Sequence, residues 1–414
     1  MPIKVCPACE ITFAGRLTKQ RCCSHMCSDE WHHNTPRRQK PPRFNTMGAH
    51  PAKETVDAAK DPTWADRGKY WESIADVCLH SYANRRQDNP PLELIGHGVR
   101  LRVDKGTLLI TEGLTHYPQD RKEHRFFPGD RRLPSRIVLG ACDGYLSLSV
   151  LEWLARHEIE LLALDWRGEI VSISGLNIQP FHRKILNAQR STNPDRALQL
   201  GRWLITRKLR ESLVTLNDIP DSMRRAFARA KIESEICALQ ATTSLDDVRL
   251  CEARGALAYW RAWRSLQIRW KGIGTHPIPL DWLVIAMRQS LYGSSNRNAT
   301  HPVNAMLNLA YGVLEADVRS AASAAGLDLT IGILHSSNSS RSALVYDLME
   351  PHRAIVDRII LSALRSHMFA RKDFVITKNG TCRLHPQLSR VIISQRLNRD
   401  LVCATISEFL TRLN

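Results

Sequence analysis

The chain has 414 residues, 43% of them hydrophobic, and carries a formal net charge of +17 with a pI near 9.7. That length suffices for two or three domains, and that apolar content excludes a chain disordered throughout. No run of eighteen apolar residues occurs and the N-terminus MPIKVCPAC lacks the long apolar stretch of a secretion signal, so neither a membrane span nor export is expected.

A ribosomal or membrane-surface protein could carry the same charge excess, but nucleic acid is the commonest partner of a large basic chain. The eleven cysteines are odd in number, and Cys142, Cys237, Cys251 and Cys403 sit singly in apolar stretches. This usage suits a reducing cytoplasm better than a disulfide scaffold.

Cys6 and Cys9 form one CxxC knuckle, and Cys23 and Cys27 form a second pair, with thirteen residues between the two pairs. Four thiolates at that spacing fit tetrahedral Zn²⁺, and residues 1–33 are too few to fold on buried apolar surface alone. Cys22 is an alternative to Cys23, and His25, His32 and His33 are weaker substitutes. The module could contact DNA through the RRQKPPR run that follows, or serve a structural or protein-binding role. Residues 34–92 read as a basic linker, with a possible helix in TWADRGKYWESIADVCLH.

Residues 93–178 read as a β-rich, sandwich-like domain. GHGVRLRVDKGTLLITEG holds two strands joined at Asp104–Lys105–Gly106, and SRIVLGA, IELLALDWR and GEIVSISG continue the pattern. YLSLSVLEWLARHEI interposes a helix. Residues 179–414 read as a large all-α domain, with helical blocks from Leu186 to Arg269 and from Val303 to Ala325. The expected class is α+β.

Within the helical region, Ser244 and Asp247 predict a capping box. Winding the following helix places Glu252 among Val248, Gly255, Ala256, Tyr259 and Trp263, opposite Asp246, Arg254, Arg261 and Arg264. Leu250 and Leu257 share the charged side, which suggests an interior helix. A carboxylate on an apolar face needs an arginine, a proton or a metal to compensate it. His335 ends GLDLTIGILH, and Asp347 and Glu350 share a helix face in SALVYDLMEPHR. Pro351 suggests that a new helix starts there, with Glu350 near its N-terminus. These four residues read as a site for a hard divalent cation, or as a structural ion pair and a surface capping cluster.

In combination, CEARGALAYW, HPVNAMLNLAYGVLEADVRSAASAAGLDLTIGILH, SALVYDLMEPHRAIVDR and the β segment LGACDGYLSLSVLEWLARHEIELLALDWRGEIV resemble the CRISPR-associated spacer-acquisition endonuclease, the universal integrase subunit of the adaptation machinery. The resemblance covers roughly residues 93–400 and leaves out the cysteine module. It implies that Glu252, His335 and Glu350 are ligands of Mn²⁺ or Mg²⁺, that Asp347 supports the site or a second ion, and that Asn304 and Tyr311 have support roles. His352 stands where the family is usually apolar, and Ala354 where it often has proline. The implied reaction is attack by the 3′-hydroxyl of a DNA fragment on a phosphodiester of a CRISPR repeat. Implied partners are double-stranded DNA, a second copy joined through the β domain, and a small ferredoxin-like adaptation protein. Arg254, Arg261 and Arg264 are candidate phosphate contacts or a solvated helix face. A casposase-type transposon integrase would use the same ligands, and a catalytically idle zinc-finger DNA-binding scaffold would use none of them.

Overall fold

The alternating apolar pattern of residues 92–174 closes into two four-stranded sheets. The first runs in the order β10 (Ile170–Ser174), β9 (Glu160–Leu164), β7 (Arg136–Gly140), β3 (Leu92–Ile95). Its β3–β7 and β7–β9 pairs are parallel and β9–β10 is antiparallel. The second runs β6 (Glu123–Phe126), β5 (Thr107–Thr111), β4 (Val99–Asp104), β8 (Gly144–Leu146). As the Asp104–Lys105–Gly106 signal requires, β4 and β5 form a tight hairpin, with Lys105 and Gly106 both at positive φ.

Period-two alternation divides the first sheet between two cores. Ile137 and Leu161 face a core shared with Leu101, Leu108 and Ile110 of the second sheet and with Trp153 of helix α2 (Leu148–Arg156). Val138, Leu162 and Leu164 face the helical core instead. The first sheet is therefore the wall on which the helices stand.

The structure, a computed structural model, describes residues 3–5, 12–14, 62–83, 89–175, 183–274, 276–285, 298–335, 342–395 and 397–413. Contacts divide the chain into residues 1–59 and 60–414. In the first unit β1 (Ile3–Val5) and β2 (Thr12–Ala14) pair antiparallel, with Lys4 opposite Phe13. Cys6, Cys9, Cys23 and Cys27, and most of the linker, lie outside the described residues.

Helix α1 (Trp64–Ala83) is the one expected beside the linker, but it belongs to the second unit and is part of its core. Trp71 is fully buried, and its Nε1 and the Arg67 guanidinium both donate to Asp373, at 2.8, 2.6 and 2.7 Å. Six long helices follow: α4 (Pro194–Leu216), α5 (Met223–Gln240), α6 (Leu245–Trp263), α7 (Pro302–Ala324), α8 (Ala343–Ser366) and α10 (Arg399–Leu413), with shorter α3 (Arg183–Arg190) and α9 (Pro386–Ser394). Helix α4 packs against α5, α6 and α8.

The region is not purely helical. β11 (Trp270–Lys271) pairs with β12 (Phe369–Ala370), and β13 (Phe374–Ile376) with β14 (Cys382–Leu384). α6 is not interior, since Leu250 and Leu257 are exposed to solvent on its charged side. Nor does Pro351 start a helix: α8 runs unbroken through it, so Glu350 sits mid-helix and the amide hydrogen bond that position 351 would have made is absent.

Two glycines fix where sheet and helices meet. Gly168, at φ +83°, turns the β9–β10 hairpin against α7, where a Cβ would come within 2.5 Å of Leu309 Cα. A Cβ on Gly312 would in turn meet the Gly168 carbonyl at 1.7 Å. Both glycines line a cleft of about 630 Å³ whose walls include Arg167, Glu169, Tyr311, Arg319, Tyr346 and Arg353.

Candidate metal centre

The site is built from three adjacent helices. Ser244 and Asp247 form the expected capping box that starts α6, with reciprocal hydrogen bonds of 3.1 and 3.0 Å. Two turns on, Glu252 lies half-buried at the margin of the buried face, not in its middle. Gly255 lets α4 approach closely here, for a Cβ on it would lie 2.7 Å from Leu209. The neighbouring side chain on α4, Lys208, reaches across. Its Nζ hydrogen-bonds Glu252 Oε1 and lies 2.6 Å from Glu350 Oε2 on α8.

Burial alone would push the Glu350 carboxyl up, but Arg353 and Lys208 outweigh it and bring it down to about 2. Arg353 Nε donates to Glu350 Oε1 at 2.8 Å. Burial likewise disfavours the Lys208 ammonium, yet Glu350 and Glu252 hold its pKa raised. The Glu350 carboxylate and the Lys208 ammonium are therefore charged at neutral pH.

Asp347 has no exposed surface and does not face the other acids. It accepts backbone N–H bonds from Ile333 (2.5 Å), Leu334 (3.1 Å) and His335 (3.1 Å), and lies 2.6 Å from His335 Nδ1. A carboxylate can only accept, so Nδ1 carries the hydrogen and the lone pair sits on Nε2. The hydrogen bond to Asp347 raises the His335 pKa against the effect of burial, with Glu350 adding to it. Arg249 Nε donates to the Leu334 carbonyl at 2.8 Å and ties this segment to α6.

A further layer backs the acids. Tyr311 and Tyr259 hydroxyls both donate to Asp357, and the Arg353 guanidinium lies 5.1 Å from the Tyr311 ring centre. Asn304 is buried on α7 two turns before Tyr311. Of the arginines singled out as phosphate contacts, Arg254 is exposed and Arg261 and Arg264 are half-buried, and none lines the cleft.

The structure thus brings Glu252 and Glu350 to one nitrogen atom. His335 stands within electrostatic reach of Glu350, and Asp347 is turned to the backbone. Among the described residues no three His, Cys, Asp or Glu side chains are close enough to cage an ion as they stand, and Lys208 lies between two of the acids. Two carboxylates gathered about a resident cation, with an imidazole in electrostatic reach of one of them, are donors of the kind a divalent ion takes.

Sequence reasoning missed Lys208, although a signal existed. It lies four residues from both Leu204 and Ser212, in the buried stripe of α4. Arg353 was also missed; it stands at i+3 from Glu350. Arg167 and Arg319 carried no signal.

Residues 92–396 match the family model described as CRISPR associated protein Cas1. The chain belongs to the Cas1 family. The CRISPR-associated endonuclease Cas1 of Korarchaeum cryptofilum is 27% identical over 285 residues, which cover 65% of this chain and 76% of that one. A Cas1 of Archaeoglobus fulgidus is 24% identical over 320 residues, covering 73% and 86%. Among solved structures, a casposase bound to integration product superposes with a TM-score of 0.64 at 24% identity, covering 78% of this chain and 90% of the other. A Cas1 protein from Thermotoga maritima gives 0.60 at 15% identity, covering 78% and 96%. A Cas6-RT-Cas1–Cas2 complex gives 0.57 at 15%, covering 79% and 35%. The relatives it matches are named CRISPR-associated endonucleases, and the fold it shares with the solved structures is mixed α+β. No described helix is long and apolar enough to cross a membrane.

Proposed function

We propose that this protein transfers a phosphodiester of a CRISPR repeat to the 3′-hydroxyl of a DNA fragment, the repeat strand's own 3′-oxygen leaving as a new 3′-hydroxyl, with Mn²⁺ or Mg²⁺ held by Glu252, His335 and Glu350. The observation that carries this reading is the shared cation, since carboxylates from two helices already close on one ammonium. When bound, the ion polarises the phosphate and stabilises charge on the attacking or leaving oxygen.

The chain's own residues do the rest. Asp347 fixes the imidazole so that Nε2 is the open nitrogen. Arg353 keeps Glu350 ionised and also lines the cleft, where a phosphodiester would find the Arg167 and Arg319 guanidiniums on the same walls. The family's named relatives support the endonuclease class, and the casposase solved with integration product supports strand transfer on this fold.

The partners proposed are double-stranded DNA, a second copy meeting through the β-rich residues, and a small ferredoxin-like protein. A relative solved together with Cas2 supports the last. Cys6, Cys9, Cys23 and Cys27 are proposed to hold Zn²⁺, with elemental analysis of the purified protein expected to find one zinc per chain. The variant Cys6→Ser with Cys9→Ser should lose it, and a zinc-free wild type removes the module.

The test of the main reaction is integration of a labelled oligonucleotide into a plasmid. Glu252→Ala, His335→Ala and Glu350→Ala should each lose about a hundredfold or more in strand transfer, because a metal's charge stabilisation is worth several kcal/mol. DNA binding should stay near wild type in all three. Full activity in the three variants sinks the site. A second reading, an integrase of the casposase type inserting an element's own ends, is favoured by the casposase superposition. Terminal inverted repeats beside the gene, in place of a repeat array, would select it.

A further inference from the structure

We propose that Lys208 is a resident counter-ion that competes with the divalent ion for Glu252 and Glu350, and so sets how tightly that ion binds. The inference rests on the metal reading given above and concerns a residue outside the proposed ligand set.

Geometry supplies the first argument. The ammonium bonds carboxylate oxygens from two helices, α6 and α8, and is itself anchored on a third, α4. The main chain of α4 has no room to advance here, since the adjoining Leu209 is packed onto Gly255. The lysine side chain is the part of α4 that can exchange one cation for another without moving the helix. Its unbranched stem and compact head can swing out as a unit. Arg353 is differently held: its guanidinium bonds Glu350 Oε1 and sits over the Tyr311 ring, so it stays when the other cation leaves.

Charge supplies the second. Without an ion, Glu252 and Glu350 are balanced by Lys208 and Arg353. A divalent ion among the same oxygens, with both basic groups still in contact, leaves two uncompensated positive charges at close range and low dielectric. Departure of Lys208 halves that excess, and one phosphodiester cancels the remainder. The ammonium thus keeps two acids together before the ion arrives and opposes the ion's entry, so that ion occupancy is favoured when substrate is also present.

The experiment is calorimetric titration of Mn²⁺ into full-length protein without DNA, using wild type, Lys208→Met, Lys208→Arg and Glu350→Gln. Removing the competing charge should tighten Mn²⁺ binding in Lys208→Met by at least about tenfold. Lys208→Arg, which keeps the charge, should bind no tighter than wild type, and Glu350→Gln should lose binding. Metal-free Lys208→Met should also melt below wild type, with saturating Mn²⁺ closing the gap. If Lys208→Met does not fold, Lys208→Gln takes its place. Equal or weaker Mn²⁺ binding by the neutral variant, with a wild type that does bind, overturns the proposal and spares the metal reading. Absence of Mn²⁺ binding in wild type and neutral variant alike overturns both.

Discussion

Asp347 shows how one buried carboxylate can organise a site without touching what the site binds. Four donors from residues 333–335 converge on it, three of them main-chain amides. Every one is satisfied by an acceptor that has no hydrogen of its own, which fixes both the path of the segment and the imidazole tautomer. An asparagine has the same shape but only one acceptor oxygen, and its amide would point donors at donors. Asp347→Asn should therefore weaken Mn²⁺ binding by about 10–100-fold, the usual effect of losing a group that orients a metal-ligating histidine. Calorimetry measures this, and far-UV circular dichroism checks that the fold survives. An Asp347→Asn protein with wild-type Mn²⁺ affinity would remove the orienting role.

At the scale of elements, local chemistry was readable and long-range convergence was not. The α6 start at Ser244 and the β4–β5 turn at Lys105–Gly106 are dictated by residues within three or four positions, and both form as expected. Glu252 stood out because a charge interrupted an apolar stripe, and Lys208 interrupts the stripe of α4 in the same way. It passed unnoticed because arginines and lysines crowd that helix. Pro351 misled for a physical reason: a lost amide bond usually ends a helix, but residues on both sides of it, Leu348, Met349, Val356 and Ile360, are buried in the core. Tertiary packing outweighs one missing hydrogen bond. The strands β11 to β14 are two or three residues long, too short for any periodicity to register. The cleft walls come from the β9–β10 hairpin, α7 and α8, elements that no local pattern links.

Across the whole molecule, two helices of the core are capped by neutral imidazoles. His301 precedes Pro302 at the start of α7, and its Nδ1 accepts the Val303 N–H at 3.1 Å. His385 precedes Pro386 at the start of α9 and accepts the Gln387 N–H at 3.1 Å, against the ring of Trp64. Both are buried, and burial pushes His301 down to about 4 and His385 down to about 3. An imidazole accepting at Nδ1 cannot also be protonated there, so acid removes the cap as well as burying a charge. Because these folded-state values lie below the ordinary 6.5, the unfolded chain takes up protons first as pH falls. Their stabilisation is complete above pH 6.5 and drains away towards pH 4. At pH 5 each should have cost on the order of 2 kcal/mol. Asparagine caps a helix without titrating in this range. The double variant His301→Asn with His385→Asn should therefore lose less melting temperature between pH 7 and pH 5 than wild type, whatever its stability at pH 7. Equal losses in the two proteins, followed by scanning calorimetry, would show that the acid sensitivity of this fold lies elsewhere.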